Sequence, residues 1–444
     1  MKVLFACIPA DGHFNPLTGL AVYMQSRGHD VRWYTGPSYA QKLERLGIAH
    51  APFVRALDIN GENLSEHYPE YKALGNGPKA IAFALEKVFF VNLEAHLHDI
   101  LELRADFPFD AILFDAAFYA GRLVAEKTGA AAYPIWPAPT PAPVSRTAPP
   151  PFFGLKPMGG PLGRMRDAMV MKLLAGSTKK GMALWNQLRA KEGLPPWDGS
   201  MFDLHLDSSA AMFMVGCPSM DFPRDDWPPR FEFVGALVAH RSSGAQPLPK
   251  AIAEKLDQFK GRVVIVSQGT IDNRDPQKLF VPTLQALANS EYLVIATTGG
   301  RHTHDLRARF TQDNVIVEDY LDYGSLMPRA DLFITNGGYG SVMQALINKV
   351  PLLLAGRLEG KNDVNARMDY RGLGIDLRSE RPSAKRIAAS VKKILSSPTY
   401  RDTVARLHDV LTSYDPFAII ERRVLDDYHR TSGQENSQSA LSAI

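Results

Sequence analysis

DLFITNGGYGSVMQALINKVPLLLAGRLEGKNDVNA, residues Asp331 to Ala366, is the stretch that decides the fold. Leu332-Phe333-Ile334-Thr335 is an apolar, strand-like run. Asn336-Gly337-Gly338-Tyr339-Gly340-Ser341 breaks it, and Val342 to Asn348 reads as a helix. A second buried run, Val350 to Ala355, then leads into a polar loop. A strand that breaks on glycines and opens a helix makes an anion site. The first helical N–H groups lack an internal partner, and the helix dipole favours negative charge there. Glycine also lets the backbone come close to a phosphate. The stretch fits a cradle for a nucleotide diphosphate. It fits a plain strand-to-helix turn as well, and two glycines alone do not separate the readings.

Upstream lie further apolar runs at Arg262 to Ser267, Tyr292 to Ala296 and Asn314 to Val317, with helical patterns between. The first half has the same rhythm. Lys2 to Pro9 reads as a strand, Asp11 to Pro16 as a turn, and Leu17, Leu20, Ala21 and Met24 recur at helical spacing. Val31 to Tyr34, Asp110 to Phe114 and Ala130 to Trp136 are further strands, with Ala210 to Val215 and Phe231 to Gly235 closing the half. This alternation predicts an α/β chain with two doubly wound, Rossmann-like domains facing across a cleft. The expected bounds are a first domain over 1–235, a Pro- and Gly-containing linker over 236–258 and a second domain over 259–412. A terminal helix over 413–430, opened by Asp415-Pro416, and a disordered tail over 431–444 complete the chain.

Composition limits the function. With 444 residues, 45% apolar and 22% charged, the chain has the make-up of a globular protein with two or three domains. A net charge of +3 gives no reason to expect nucleic acid. Cys7 and Cys217 sit in or beside apolar runs and are expected as buried free thiols in a reducing compartment. Met1-Lys2-Val3-Leu4-Phe5 enters a strand directly, without a signal-peptide pattern, and no apolar run is long enough to span a bilayer. The expectation is a cytoplasmic protein, monomeric or weakly dimeric. No metal-ligand cluster, Walker loop or dinucleotide fingerprint appears, so neither a metal nor a cofactor is expected. Ten prolines lie between Pro134 and Pro161, interleaved with Trp136, Phe152 and Phe153 and followed by Met158, Met165, Met169 and Met171. Such a segment is neither regular helix nor sheet. It reads as an irregular wall of a greasy binding cleft, or else as a structural insertion.

Ligands in doubly wound sheets sit at the carboxyl ends of strands. His13 follows the first strand and Asp115 ends another of the same half. An imidazole is a general base near neutral pH, and a carboxylate on its second nitrogen fixes the tautomer. Alternatively, His13 is an ordinary surface histidine and Asp115 an N-cap. In the second half, Ser267-Gln268-Gly269-Thr270 and Thr297-Thr298-Gly299-Gly300 add small polar, glycine-containing turns at strand ends.

With these residues in view, the chain resembles the family 1 glycosyltransferases of the GT-B fold, over nearly its whole length to Tyr428. PADGHFNPLTGLAVYMQSRGHDV is similar to the family's Gly-His-x-x-Pro opening. The strand ending in Asp115 with AAAYPIW after it, and the quoted stretch with NDVNARMDYRGLGIDL, carry the rest. The resemblance implies that His13 is the base and Asp115 its partner, with Gly12 beside them. It implies a donor site of Ser267, Gly269, Thr270, Gly337, Gly338, Gly340 and Ser341 around the diphosphate. Tyr320, with Leu321 and Tyr323, would lie at the nucleobase. The chain departs from the family in three places: Asn336 replaces its usual His, Gln344 its ribose-binding acid, and the pair Lys361-Asn362 the Asp-Gln pair facing the sugar. With Glu359 and Asp363 nearby, that loop is similar to a subset of bacterial enzymes acting on flavonoids and other phenols, some of which use dTDP-rhamnose. The implied partners are a nucleotide diphosphate sugar as co-substrate and a small apolar hydroxylated acceptor. A lipid acceptor at a membrane, a non-catalytic nucleotide-sugar binder and an epimerase are the competing readings.

Overall fold

The computed structural model describes residues 1–442 except 61–62, 71–73, 75–77, 140–144, 208, 239–245 and 270–271. Thr270, the middle of the expected linker and part of the proline-rich segment therefore lie outside the described residues.

Two all-parallel sheets organise the chain. The first runs β1 (Lys2–Ala6), β2 (Asp30–Thr35), β3 (Ala49–Pro52), β4 (Ala111–Asp115), β5 (Ala131–Trp136), β6 (Met212–Val215) and β7 (Phe231–Gly235), in the spatial order β3-β2-β1-β4-β5-β6-β7. The second holds β8 (Val263–Ser267), β9 (Leu293–Thr297), β10 (Val315–Glu318), β11 (Leu332–Thr335), β12 (Leu352–Leu354) and β13 (Gly374–Asp376), ordered β10-β9-β8-β11-β12-β13. Each order reverses once, between β1 and β4 and between β8 and β11. Crevices open at such reversals, because the helices on either side leave toward opposite faces. Central strands such as β4, β8 and β9 are buried at every residue, as expected for strands covered on both faces.

Six helices position the site: α1 (Asp11–Ser26), α2 (Ala120–Thr128), α3 (Gly160–Lys191), α4 (Tyr339–Leu346), α5 (Lys361–Tyr370) and α6 (Pro416–Ser442). One cluster of buried side chains runs through both halves, from Val3, Phe5 and Leu17 to Val342, Met343, Leu346 and Ile420. Two further clusters serve one half each. Helix α6 returns to the first half. Phe417 stacks on Tyr23 at 5.4 Å, and Glu421 accepts from the Tyr23 hydroxyl at 2.9 Å. The Asp415 side chain accepts from the Ala418 N–H at 3.1 Å, the N-cap that Asp-Pro foretells.

Several expectations change. The segment after β1 is the opening of α1, which begins at Asp11 and contains Pro16, so His13 stands in a helix's first turn. Helix α4 opens at Tyr339, three residues before Val342. The edge strands β3 and β13 were not anticipated. A helix over Lys250–Gln258, with Ile252 and Leu256 buried, takes the end of the expected linker. Helix α6 continues to Ser442, through residues expected to be disordered. Cys7 and Cys217 are buried free thiols, and burial pushes the Cys7 thiol up to about 12.

Candidate active site

β1 and β4 pair directly, with Ala6 beside Phe114. The residues just beyond their carboxyl ends therefore meet at the first reversal point. There His13 Nδ1 stands 2.8 Å from Asp115 Oδ1. Asp115 is buried and His13 keeps 31% of its side chain exposed, so the outer edge of the ring stays open. The same Asp115 oxygen accepts from the Ala117 N–H at 2.8 Å, which fixes the carboxylate. It is not the cap of α2, which starts after Tyr119. Burial pulls the His13 imidazole down. The Asp115 carboxylate, and Glu359 from the opposite half, push it up further, and the net result lies above its ordinary 6.5. Gly12, at the second position of α1, has open space over it, so what this glycine provides is room.

The second reversal point mirrors the first. Ser267 and Thr335 are register partners at the ends of β8 and β11. Just beyond them, Asn336 Nδ2 donates to the Gln268 carbonyl at 2.7 Å, and its Oδ1 accepts from the Gly338 N–H at 3.2 Å. Asn336 is almost wholly buried. Its observed bonds brace two loops against each other, a use the sequence did not indicate. Asn365 adds a second brace from α5, donating to the Gly356 carbonyl at 2.9 Å. Gly337 has φ +95°, and a Cβ there would lie 1.9 Å from Asn365 Oδ1. Only glycine satisfies both conditions. No side chain caps α4. Gly340 and Gln344 are one turn apart on its more open face, with Ser341 half-buried beside them.

The remaining expected donor residues separate into two groups. Tyr320 is 69% exposed yet tethered, its hydroxyl donating to the Gly299 carbonyl at 2.7 Å. A fixed, open ring of this kind is a platform for a flat ring. Leu321 is half-buried beside it. Tyr323 instead turns its hydroxyl to Thr297 Oγ1, 2.7 Å away, and supports the strand ends from below. Ser267 is buried and accepts from the Gly269 N–H at 3.4 Å. Before α5, Glu359 and Gly360 both have positive φ, and Glu359 pairs with Lys361 Nζ at 2.8 Å.

The two halves meet over this site. The Tyr339 hydroxyl, on the first residue of α4, donates to the Val215 carbonyl at 2.9 Å. Asn362 Nδ2 donates to the Phe152 carbonyl at 2.6 Å. Arg367 Nε lies 2.6 Å from Asp221 Oδ1, with its guanidinium 4.6 Å from the Phe222 ring centre. Sequence reasoning missed Tyr339, Asp363 and Arg367 as bridges, because their partners lie far away along the chain and several are backbone groups. Among the described residues no group of three His, Cys, Asp or Glu side chains is placed to hold a metal ion.

Comparison with known proteins gives the family. Residues 282–424 match the family described as erythromycin biosynthesis protein CIII-like, C-terminal domain. A 4'-demethylrebeccamycin synthase of Lentzea aerocolonigenes is 35% identical over 421 residues, covering 93% of this chain and 96% of its own. The chain belongs to the family 1 glycosyltransferases. A UDP-glycosyltransferase of Phaeomoniella chlamydospora is 27% identical over 423 residues, with 91% of each chain covered. The solved structure of a calicheamicin glycosyltransferase matches this glycosyltransferase with a TM-score of 0.71 at 21% identity, over 96% of this chain and 98% of that one. At that identity the match speaks for the fold, which is GT-B, as expected from the sequence. No helix among the described residues is long and apolar enough to cross a membrane.

Proposed function

We propose that this glycosyltransferase moves a hexose or deoxyhexose from a dTDP- or UDP-linked donor to a hydroxyl of a small apolar acceptor, such as a flavonoid or another phenol. Transfer proceeds with inversion and without a metal. The observation that carries the reading is the His13–Asp115 pair at one reversal point, opposite the uncapped start of α4 at the other.

The chemistry follows from the atoms. Asp115 holds the proton on His13 Nδ1, which leaves the Nε2 lone pair for the acceptor hydroxyl. As the bond from the sugar to the leaving phosphate breaks, the anomeric carbon gains positive character and the acceptor oxygen attacks from the opposite face. Nε2 takes the acceptor's proton, an assistance typically worth ~10²–10⁴-fold. The N–H groups opening α4, with the Ser341 hydroxyl, meet the charge that grows on the leaving diphosphate, and Gly337 and Gly338 let it come close to the backbone. Tyr320 supports the nucleobase. Asn336, Gln344 and Lys361, where the chain departs from its family, are where donor choice is set.

The test is direct. The protein is incubated with UDP-glucose or dTDP-rhamnose and a flavonol, the product is read by mass spectrometry, and its anomeric configuration by NMR. Absence of glycoside from every pair, or retained configuration, overturns the reading, and loss of activity with a chelator overturns its metal-free part. One observation favours a lipid acceptor instead. Leu162, Met165, Met169 and Leu173 form an exposed apolar stripe along α3. Co-sedimentation with liposomes, and glycosylation of a lipid but not of a phenol, would establish that alternative.

A further inference from the structure

The Asp363 carboxylate lies at the third position of α5, nearly buried, in the half opposite the base. Its hydrogen-bond donors belong to the other half: Oδ1 accepts from the Gly154 N–H at 2.8 Å and Oδ2 from the Phe152 N–H. The preceding residue, Asn362, donates to the Phe152 carbonyl. Two successive side chains thus grip the backbone of one loop from both sides. Phe152 has φ +73° and Gly154 φ +59°. Left-handed residues so close together turn their N–H groups toward one point and make a concavity for an anion, and Asp363 fills it. Phe152 holds a left-handed conformation that a residue with a Cβ rarely adopts, and such a grip offsets its strain.

We propose that Asp363 is a positioning residue that ties the acceptor-side loop around Phe152 to the donor-side turn from Glu359 to Asp363. Filling the nucleotide site thereby orders the wall against which the acceptor rests. The proposal rests on the glycosyl-transfer reading above. Three observations support it beyond the hydrogen bonds. The same five-residue turn carries Glu359, whose charge reaches His13, so one movement is felt at both the base and the loop. Phe152 continues into the first half's aromatic packing, its ring 6.0 Å from that of Phe202. Finally, Arg367 with Asp221 and Lys156 with Asp369 already hold α5 to the first half, so Asp363 is not needed merely to keep the halves together.

Amide hydrogen exchange of the full chain, with and without UDP or dTDP, tests the tie. In the parent, nucleotide is expected to slow exchange at 152–154 by about tenfold or more. In Asp363→Ala, nucleotide still raises the melting temperature, but slowing at the loop falls below about twofold. Asp363→Asn keeps the side chain's shape and one acceptor oxygen, and gives an intermediate result should the alanine variant not fold. With UDP-glucose or dTDP-rhamnose and a flavonol, kcat/KM for the acceptor falls about tenfold in Asp363→Ala while donor KM stays within about twofold, and a larger share of donor is hydrolysed. A parent loop indifferent to bound nucleotide, or variants with parent-like slowing, would overturn the tie alone, as would equal losses of transfer and hydrolysis. A parent that binds neither nucleotide overturns the functional reading with it.

Discussion

At the scale of single residues the site turns on His13. Its raised pKa means that the imidazole stays protonated, and unable to accept a proton, to a higher pH than a free histidine. The acid limb of kcat/KM is therefore expected above the ordinary 6.5. Asp115→Asn removes the larger raising charge and moves that limb downward while turnover falls. A limb that stays in place would contradict the pairing. Glu359→Gln moves it in the same direction by less, because Glu359 is exposed and solvent screens its charge. His13→Ala is expected to cut transfer by ~10²-fold or more with nucleotide binding unchanged, as read by thermal shift. Activity within a few-fold of the parent would remove His13 from the mechanism. His13 and Asp115 were legible in the sequence as strand-end residues. Their 2.8 Å separation was not, because it depends on β1 and β4 being neighbours.

At the scale of elements, the turn between β11 and α4 carries the most information and the tightest constraint. Gly337→Ala combines positive φ with overlap against Asn365 and is expected to cost about 1–3 kcal/mol. Nucleotide-induced stabilisation should disappear with it, which differential scanning with and without UDP or dTDP would reveal. Asn336→Ala loses both of its side-chain hydrogen bonds, to the Gln268 carbonyl and from the Gly338 N–H, and is expected to lower stability by about 1–3 kcal/mol. The buried strands were readable because burial on both faces leaves continuous apolar runs such as Val263–Val266. β3, with sequence AHAP, and the three-residue β13 lie at sheet edges, where no such run is required. The start of α1 was misread because Gly12 and Pro16 look like turn residues, yet the helix carries Pro16 inside it, past the first N–H groups that lack a helical partner.

At the scale of the whole molecule, two doubly wound halves were legible from the repeated rhythm, but their mutual contacts were not. Asp221 with Arg367 and Asp363 with Gly154 join residues far apart in sequence, and no local pattern announces them. Asp221 and Arg367 are both nearly buried, so Arg367→Ala leaves an uncompensated carboxylate and is expected to cost about 3–5 kcal/mol. Acid should also loosen the first half. Burial holds His205 down to about 4 and His96 to about 3, both far below the ordinary 6.5. A depressed folded value means that stability is fully present above 6.5 and is lost as pH falls toward 4, where unfolding takes up the protons. The melting temperature should fall across that window, and His205→Asn should flatten the fall.

The return of α6 to the first half has a consequence for biosynthesis. The surface that receives Phe417, Ile420 and Val424 belongs to a domain whose own strands end at Gly235. At about 5–20 residues per second, a ribosome needs roughly ten seconds to half a minute more to reach Pro416. During that interval the nascent first domain displays an uncovered apolar groove along α1. It is then a natural client for a holding chaperone, and rare codons between the halves would lengthen its exposure.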